Sequence, residues 1–92
     1  MTLLTEHEIE VQLAAADWSR DGTAIARELT FADFAAAIAF VNRVAALAET
    51  AGHHPDILVH GWNKVRLELC THSAGGLTAA DFALAAQIDR LS

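Results

Sequence analysis

The sequence contains few cysteines and few basic residues, and each shortage excludes a class of protein. Cys70 is the single cysteine, which excludes an intrachain disulfide and every metal motif that needs several cysteines. Lysine and arginine together number 6, against 12 acidic residues, and the net charge is -6. Because the basic residues form no block, we do not expect direct binding of nucleic acid through its phosphates.

Long uncharged apolar segments are also missing. No charge-free run reaches the roughly 18 residues that a membrane span requires. Residues 1–8 lack a basic region followed by an apolar run, so no signal peptide is expected there. These absences predict a protein of the reducing cytoplasm that makes no membrane contact.

Apolar residues, by contrast, are plentiful and make up 53% of the chain. Ninety-two residues suffice for one small domain, so residues 1–92 are predicted to form a single unit with a single core. That much apolar sequence exceeds what one such core can bury. The excess is largely alanine, which suits close packing between helices and predicts a homo-oligomer assembled through a helix.

The first half of the chain predicts a helix, a hairpin and a second helix. Thr5 begins the first helix with a capping box. Asp21-Gly22 predicts a hairpin turn between a first strand that holds Trp18 and a second strand over residues 24–30. Thr30 can cap the second helix, whose clearest apolar face follows spacings of three and four residues. That face comprises Phe31, Phe34, Ile38, Val41, Ala45 and Ala48, and a second apolar row comprises Phe40, Val44 and Leu47.

The second helix has a clear end, and two strands follow it. Gly52 can adopt the left-handed conformation that ends a helix, and Pro55 prevents the helix from continuing. Strands are predicted over residues 57–60 and 62–71, with Gly61 between them as a tight reversal or a bulge.

A third helix completes the chain. Thr78 can cap it, with Asp81 at its third position. The order of elements is helix, strand, strand, helix, strand, strand, helix. An α+β fold, with a four-stranded antiparallel sheet and three helices packed on one face, is the simplest way to bury these patterns.

Three histidines are expected near the ends of these elements. His53 lies close to the end of the second helix and to Glu49, and both the helix dipole and this carboxylate attract a positive charge, which suits a general acid. His54 precedes a proline and should be extended, so its side chain diverges from that of His53. His72 ends a strand that can reach the same helix end in an antiparallel layout. The pattern predicts an acid–base pocket.

Other interpretations of these residues stay open. His53 and His54 are also consistent with a solvated loop. His72 could bond a backbone group at its turn, and Asp81 could be only a helix cap. Zinc is disfavoured because divergent neighbours make poor joint ligands and no HExxH motif or cysteine pair is present. Covalent catalysis through Cys70 is disfavoured because this residue lies within a strand.

Two combinations of residues resemble the pterin-4a-carbinolamine dehydratase family. One is Glu49 followed by His53-His54-Pro55-Asp56, and the other is Thr71-His72 followed by Gly75-Gly76-Leu77-Thr78 and Asp81. Further matches are Trp62-Asn63-Lys64-Val65 between them and Trp18, Ile25, Arg27, Phe31 and Asp33-Phe34 upstream. The resemblance spans about residues 5–91.

The resemblance implies the fold predicted above, assembled as a homodimer or homotetramer. It also implies dehydration of a 4a-hydroxytetrahydropterin to a quinonoid dihydropterin. Catalytic roles are implied for His53, His54 and His72, and substrate binding for Glu49, His54, Pro55 and Asp81. His53 and His72 would assist departure of the 4a-hydroxyl from either face of the ring, while His54 would hold and polarise the pterin. Histidines suffice for this elimination, so neither a cofactor nor a metal is expected.

The chain departs from the family pattern beside the predicted pocket. The stretch before Trp62 is one residue longer than usual, and Trp62 stands where tyrosine is frequent. A bulge at Gly61 can absorb the extra residue, so the departure concerns the pocket wall more than the chemistry. The alternative function is that of a non-enzymatic dimerisation or assembly cofactor for a partner protein, a role that some members of the family have. The intact set of histidines favours the enzyme.

Overall fold

The computed structural model describes residues 2–91, and its helices and strands follow the predicted order. Helices α1, α2 and α3 span Glu6–Ala14, Phe34–Ala51 and Ala79–Asp89, and strands β1 to β4 span Ser19–Asp21, Ala24–Thr30, Asp56–His60 and Lys64–Leu69. A short 3-10 helix, His72–Ala74, precedes α3. The strands form one antiparallel sheet in the order β1-β2-β4-β3. The predicted α+β fold is confirmed.

The buried apolar side chains of residues 2–91 form a core between the sheet and the three helices. Strand β4 alternates strictly, because Val65, Leu67 and Leu69 are fully buried and the residues between them are partly exposed. The other members of the core include Ile9 of α1, Ile25 and Leu29 of β2, Phe40 and Val44 of α2, and Leu84 and Ile88 of α3. Removing these side chains from water is the main force that holds the helices on the sheet.

Local capping signals fix the starts of α1 and α3 as predicted. The Thr5 hydroxyl accepts a hydrogen bond from the backbone N–H of Glu8 at 3.1 Å, and the Glu8 carboxylate accepts one from the Thr5 N–H at 2.9 Å. Thr78 and Asp81 form the same reciprocal arrangement at the start of α3. Each box satisfies backbone N–H groups that the first turn of a helix leaves without partners.

The predicted start of α2 is wrong by three residues. Thr30 does not cap the helix, because it is the last residue of β2 and pairs with Lys64 across the sheet. Asp33 caps the helix instead, and its carboxylate accepts from the N–H of Ala36 at 2.7 Å. Phe31 therefore precedes the helix, where its ring lies 4.9 Å from that of Phe40.

The face of α2 that meets the core also differs from the clearest predicted row. Ala37, Phe40, Val44 and Ala48 are its buried residues, whereas Phe34 and Ala45 are exposed. Two apolar rows run along this helix, and spacing alone does not decide which of them faces the sheet. The second row supplies most of the core contact, and part of the first row stays on the surface.

Helix α2 is also the one helix within residues 2–91 whose length and apolarity match a membrane span. It has 18 residues and a mean hydropathy of 1.4. It carries Arg43 and Glu49, so the chain still lacks a charge-free run of that length. Core helices of globular proteins meet the same two criteria, and α2 packs against α3 and the sheet.

Both tryptophans lie outside the strands in which they were predicted. Trp18 precedes β1 by one residue and is buried, and its indole Nε1 donates to Asp89 at 2.9 Å. Trp62 lies in a three-residue loop, because His60 pairs directly with Lys64. Gly61 is therefore a reversal and not a bulge. Trp62 itself adopts a left-handed backbone conformation with φ 59°, which costs a residue other than glycine about 1–2 kcal/mol.

Candidate active site

The end of α2 positions both adjacent histidines. Gly52 adopts the left-handed conformation (φ 63°), as predicted, and its N–H bonds to the carbonyl of Glu49. The N–H of His53 bonds to the carbonyl of Ala48 at 3.1 Å. These two bonds close the helix with a Schellman motif. The backbone that carries His53 is therefore anchored to the last turn of α2.

His53 points inward and pairs with an aspartate of α3. Its Nε2 lies 2.6 Å from Oδ1 of Asp81, the third residue of that helix. The side chain of His53 is 15% exposed, and that of Asp81 is fully buried. A carboxylate with no access to water needs partners for its charge, and His53 supplies one of them.

The other oxygen of Asp81 belongs to a buried cluster of threonines. Oδ2 accepts from the Thr71 hydroxyl at 2.8 Å and from the backbone N–H of Thr78 at 2.9 Å. The hydroxyls of Thr71 and Thr78 are themselves 2.8 Å apart. Asp81 is thus more than a cap, because one carboxylate joins α3, the segment after β4 and the end of α2.

His54 points the other way and pairs with a different carboxylate. Its Nε2 lies 2.9 Å from Oε2 of Glu49, and the two side chains are 64% and 78% exposed. The expected divergence of the two histidines agrees with these separate partners. Glu49 was expected to act on His53 through its nearby charge, but its carboxylate contacts His54, and His53 contacts Asp81 of α3 instead.

His72 lies beside the threonine cluster, on the surface. It begins the short 3-10 helix and follows Thr71 directly, and its side chain is exposed. The backbone of Thr71 is held by its N–H, which bonds to the carbonyl of Gly76 at 2.9 Å. Since Thr71 contacts Asp81 and Asp81 contacts His53, the fold brings the segment that carries His72 to the end of α2.

The remaining predicted residues lie around this group. Pro55 is partly buried and lies between His54 and the first residue of β3. Cys70 is partly buried between β4 and Thr71, and its thiol lies 3.7 Å from the carbonyl of Gly76. Within residues 2–91, no group of three or more His, Cys, Asp or Glu side chains is placed to hold a metal ion.

A wide cleft of about 510 Å³ lies elsewhere, beside β1, β2 and β4. Its lining includes Arg20 and Arg66, which form ion pairs with Glu6 and Asp21. Because these cations already have anionic partners and no histidine lines the cleft, it does not compete with the histidine group as the candidate site.

The role of Thr71 in this site was not predicted from the sequence. A signal was available, because Val65, Leu67, Leu69 and Thr71 fall on the inward-facing positions of one alternating pattern. A hydroxyl at a position that repeats as buried and apolar requires a hydrogen-bond partner inside the protein. The capping carboxylate of α3 is that partner.

Comparison with known proteins identifies the relatives of this chain. The sequence profile described as Pterin 4 alpha carbinolamine dehydratase matches residues 2–91. The chain belongs to the pterin-4a-carbinolamine dehydratase family. A relative from Chloroflexus aurantiacus is 58% identical over 92 residues, which cover 99% of this chain and 98% of that protein. One from Gloeobacter violaceus is 55% identical over 93 residues, covering 96% and 100%. Both carry the dehydratase name provisionally.

The chain also resembles two solved structures, one of a pterin dehydratase and one of a pterin dehydratase-like protein. A transcriptional coactivator/pterin dehydratase from Brucella melitensis superimposes with a TM-score of 0.92 at 33% identity, over 98% of both chains. A pterin dehydratase-like protein identified as a RuBisCO assembly factor in the alpha-carboxysome superimposes with a TM-score of 0.69 at 30% identity. That match covers 84% of this chain and 90% of the other.

Proposed function

We propose that this member of the dehydratase family is an active pterin-4a-carbinolamine dehydratase. The reaction removes water from a 4a-hydroxytetrahydropterin. A proton is delivered to the 4a-oxygen, the bond between C4a and that oxygen breaks, and N5 loses its proton as the double bond between C4a and N5 forms. The products are water and a quinonoid dihydropterin, so the step needs a proton donor and a proton acceptor but no redox partner.

The main support for this proposal is that two adjacent histidines are paired with two separate carboxylates. His53 faces buried Asp81, and His54 faces exposed Glu49. A carboxylate behind an imidazole orients the ring and stabilises its protonated form, as general acid–base catalysis requires. Adjacent histidines in a simple surface loop would not need a fully buried partner.

Roles for the individual residues follow from the family resemblance and this geometry. We propose that His53 and His72 exchange protons with the 4a-hydroxyl from opposite faces of the ring. His54 holds and polarises the pterin, with Glu49 and Pro55 at its binding site. A direct contact between Asp81 and the substrate was also expected, but a fully buried side chain suits orientation of His53 better.

The decisive experiment measures dehydration of synthetic 4a-hydroxytetrahydropterin by its absorbance, with the uncatalysed rate subtracted. The protein should accelerate the reaction, and His53→Ala should reduce the acceleration by about a hundredfold or more. The double variant His53→Ala/His72→Ala should abolish it. His7→Ala is the matched control, since His7 is exposed on α1 and should be dispensable. Wild-type activity in the double variant would refute the proposal.

Removal of metal ions offers an independent check of the chemistry. We expect dialysis against a chelator to leave the rate unchanged, because histidines alone can supply and accept the protons. A loss of activity that added zinc restores would require a metal-dependent mechanism instead.

A non-enzymatic assembly role is the second candidate. The observation that favours it is the resemblance to the RuBisCO assembly factor, together with large apolar side chains on the surface. Phe34, Leu58 and Trp62 are more than half exposed, and such side chains often mark contacts between proteins. A protein that binds a partner equally well after His53→Ala/His72→Ala, and that never accelerates dehydration, would support this role against the enzyme.

We further propose that the protein forms a homodimer or homotetramer in the cytoplasm and that residues 1–92 fold as one domain. The exposed apolar side chains and the alanine-rich surface of α2 support assembly. Light scattering coupled to size-exclusion chromatography measures the mass directly. A monomer at micromolar concentration would contradict the oligomer.

A further inference from the structure

The hydrogen bonds around Asp81 have a defined direction. The backbone N–H of Thr78 can only donate, so Oδ2 of Asp81 accepts it. The hydroxyl of Thr71 has one hydrogen, and it lies 2.8 Å from the same oxygen. Because that hydrogen goes to Asp81, the Thr78 hydroxyl is the donor in its 2.8 Å contact with Thr71. The Thr78 oxygen in turn accepts from the N–H of Ala80 at 3.3 Å.

This ordered chain of donors ends on Asp81 and favours its ionised form. An ionised carboxylate accepts hydrogen bonds and donates none. Two donors reach Oδ2, and the remaining close contact is between Oδ1 and Nε2 of His53 at 2.6 Å. The hydrogen in that contact must therefore come from the imidazole.

We propose that Thr71 and Thr78 keep Asp81 ionised, and that Asp81 thereby fixes neutral His53 in the tautomer that carries its proton on Nε2. Nδ1 is then the nitrogen that gains and loses the catalytic proton. Asp81, Thr71 and Thr78 are positioning residues, because they act through His53. The assignment of Nδ1 as the catalytic nitrogen rests on the dehydratase function proposed above, whereas the tautomer does not.

The tautomer can be measured on the free protein, without substrate. Nitrogen-15 NMR of the imidazole distinguishes a nitrogen that carries hydrogen from one that does not. At a pH where His53 is neutral, we expect Nε2 to give the protonated-nitrogen signal and Nδ1 the unprotonated one. The reverse assignment, or an equal mixture of the two tautomers, would overturn the proposal.

Two substitutions at Thr71 test the contribution of its hydroxyl. Thr71→Val keeps the shape but removes the donor to Asp81, so we expect the His53 signals to move towards a mixture of tautomers. The kcat of dehydration should fall roughly tenfold, as for loss of a hydrogen bond to a charged group, with a smaller change in KM. Thr71→Ser keeps the hydroxyl, so this variant should keep both the wild-type tautomer and the wild-type kcat.

Thr50→Val is the control for these variants, and two measurements remain if the valine variant does not fold. Thr50→Val alters an exposed threonine of α2 and should change neither the His53 spectrum nor kcat. Serine and valine variants at position 71 with identical spectra and rates would contradict the role of the hydroxyl. If the valine variant does not fold, the wild-type tautomer and the serine variant still decide. A protein with the expected tautomer but no dehydratase activity would refute the proposed function and leave the hydrogen-bond network intact.

Discussion

His53 and His54 are neighbours in the chain and each faces a carboxylate, yet their surroundings differ. The pair of His53 and Asp81 is 15% and 0% exposed at its side chains, and that of His54 and Glu49 is 64% and 78% exposed. The distances, 2.6 and 2.9 Å, are nearly alike. Contact distance therefore does not distinguish them; access to water does.

Because their access to water differs, the two pairs should contribute differently to stability. Removing one partner of a buried pair leaves the other without compensation for its lost hydration, which costs about 3–5 kcal/mol. An exposed pair contributes about 0.2–1 kcal/mol, because water and salt replace the lost partner. We therefore expect the inner pair, His53 and Asp81, to hold structure and orient the His53 ring. We expect the outer pair, His54 and Glu49, to be able to exchange its partner for a ligand.

Asp81→Ala should cause the largest loss. It removes the acceptor of His53 and Thr71 together with the carboxylate half of the capping box of α3. We expect the free energy of unfolding to fall by about 3 kcal/mol, measured by denaturant titration. Asp17→Ala, at an exposed aspartate, is the control and should stay close to the wild type. Equal free energies of unfolding for the two variants would mean that the buried pair contributes no more to stability than an exposed aspartate does.

Asp89→Ala should have an intermediate effect. Its Oδ1 accepts from the indole of Trp18 and from the guanidinium of Arg27, and both contacts are partly buried. We expect a loss of about 1–2 kcal/mol in the same titration, since the freed donors gain only partial access to water. A loss as large as that of Asp81→Ala would mean that burial does not rank these pairs.

Acidification should weaken the start of α1 by a smaller amount. The hydrogen bond from Arg20 and its positive charge lower the pKa of Glu6 below its ordinary 4.5. Hydrogen bonds from the backbone and the side chain of Thr5 lower the pKa of Glu8 in the same way. Since the unfolded chain binds protons more readily, this stabilisation is present above pH 4.5 and is lost as the pH falls through the lowered pKa values.

Amide hydrogen exchange of α1 measures that loss. Protection of its first turn should decrease between pH 4.5 and the lowered pKa values of Glu6 and Glu8. Glu8→Ala should remove the share of the pH dependence that Glu8 contributes and leave that of Glu6, whereas Glu10→Ala, at another exposed position of the same helix, should retain both. Protection that rises on acidification would reverse the sign of the linkage and reject the interpretation.

Glu49→Gln should have the smallest effect on stability. The exposed pair with His54 contributes little, so we expect a change below about 0.5 kcal/mol. If Glu49 binds the pterin, the KM of dehydration should nevertheless rise. An unchanged KM, with wild-type stability, would exclude Glu49 from the binding site.

Sequence patterns identified the elements where the signal was local. Thr5, Gly52 and Thr78 bracket their helices as predicted, because a cap depends on residues within one turn. The start of α2 was misplaced because Thr30 is an equally good cap by type. Its pairing with Lys64 across the sheet, a contact distant in sequence, keeps it in β2.

The candidate site was predictable in composition but not in its pairings. The histidines were predicted because their types and positions form a family motif. Glu49 was expected close to His53, whereas its carboxylate contacts His54. Sequence proximity favoured His53 as its partner, whereas the packing of α3 against α2 supplies Asp81, 28 residues away. Which carboxylate faces which imidazole depends on how helices dock, and no local pattern encodes it.

The tryptophan in the loop between β3 and β4 can serve as an intrinsic fluorescence probe. The sequence contains two tryptophans and no tyrosine, so its near-ultraviolet emission comes almost entirely from indole. Trp18 is buried, whereas Trp62 is 61% exposed. A soluble quencher such as acrylamide should therefore extinguish the emission of Trp62 first. Emission that survives quenching reports on the core, and the quenched part reports on whatever covers the loop, whether a ligand or a second subunit.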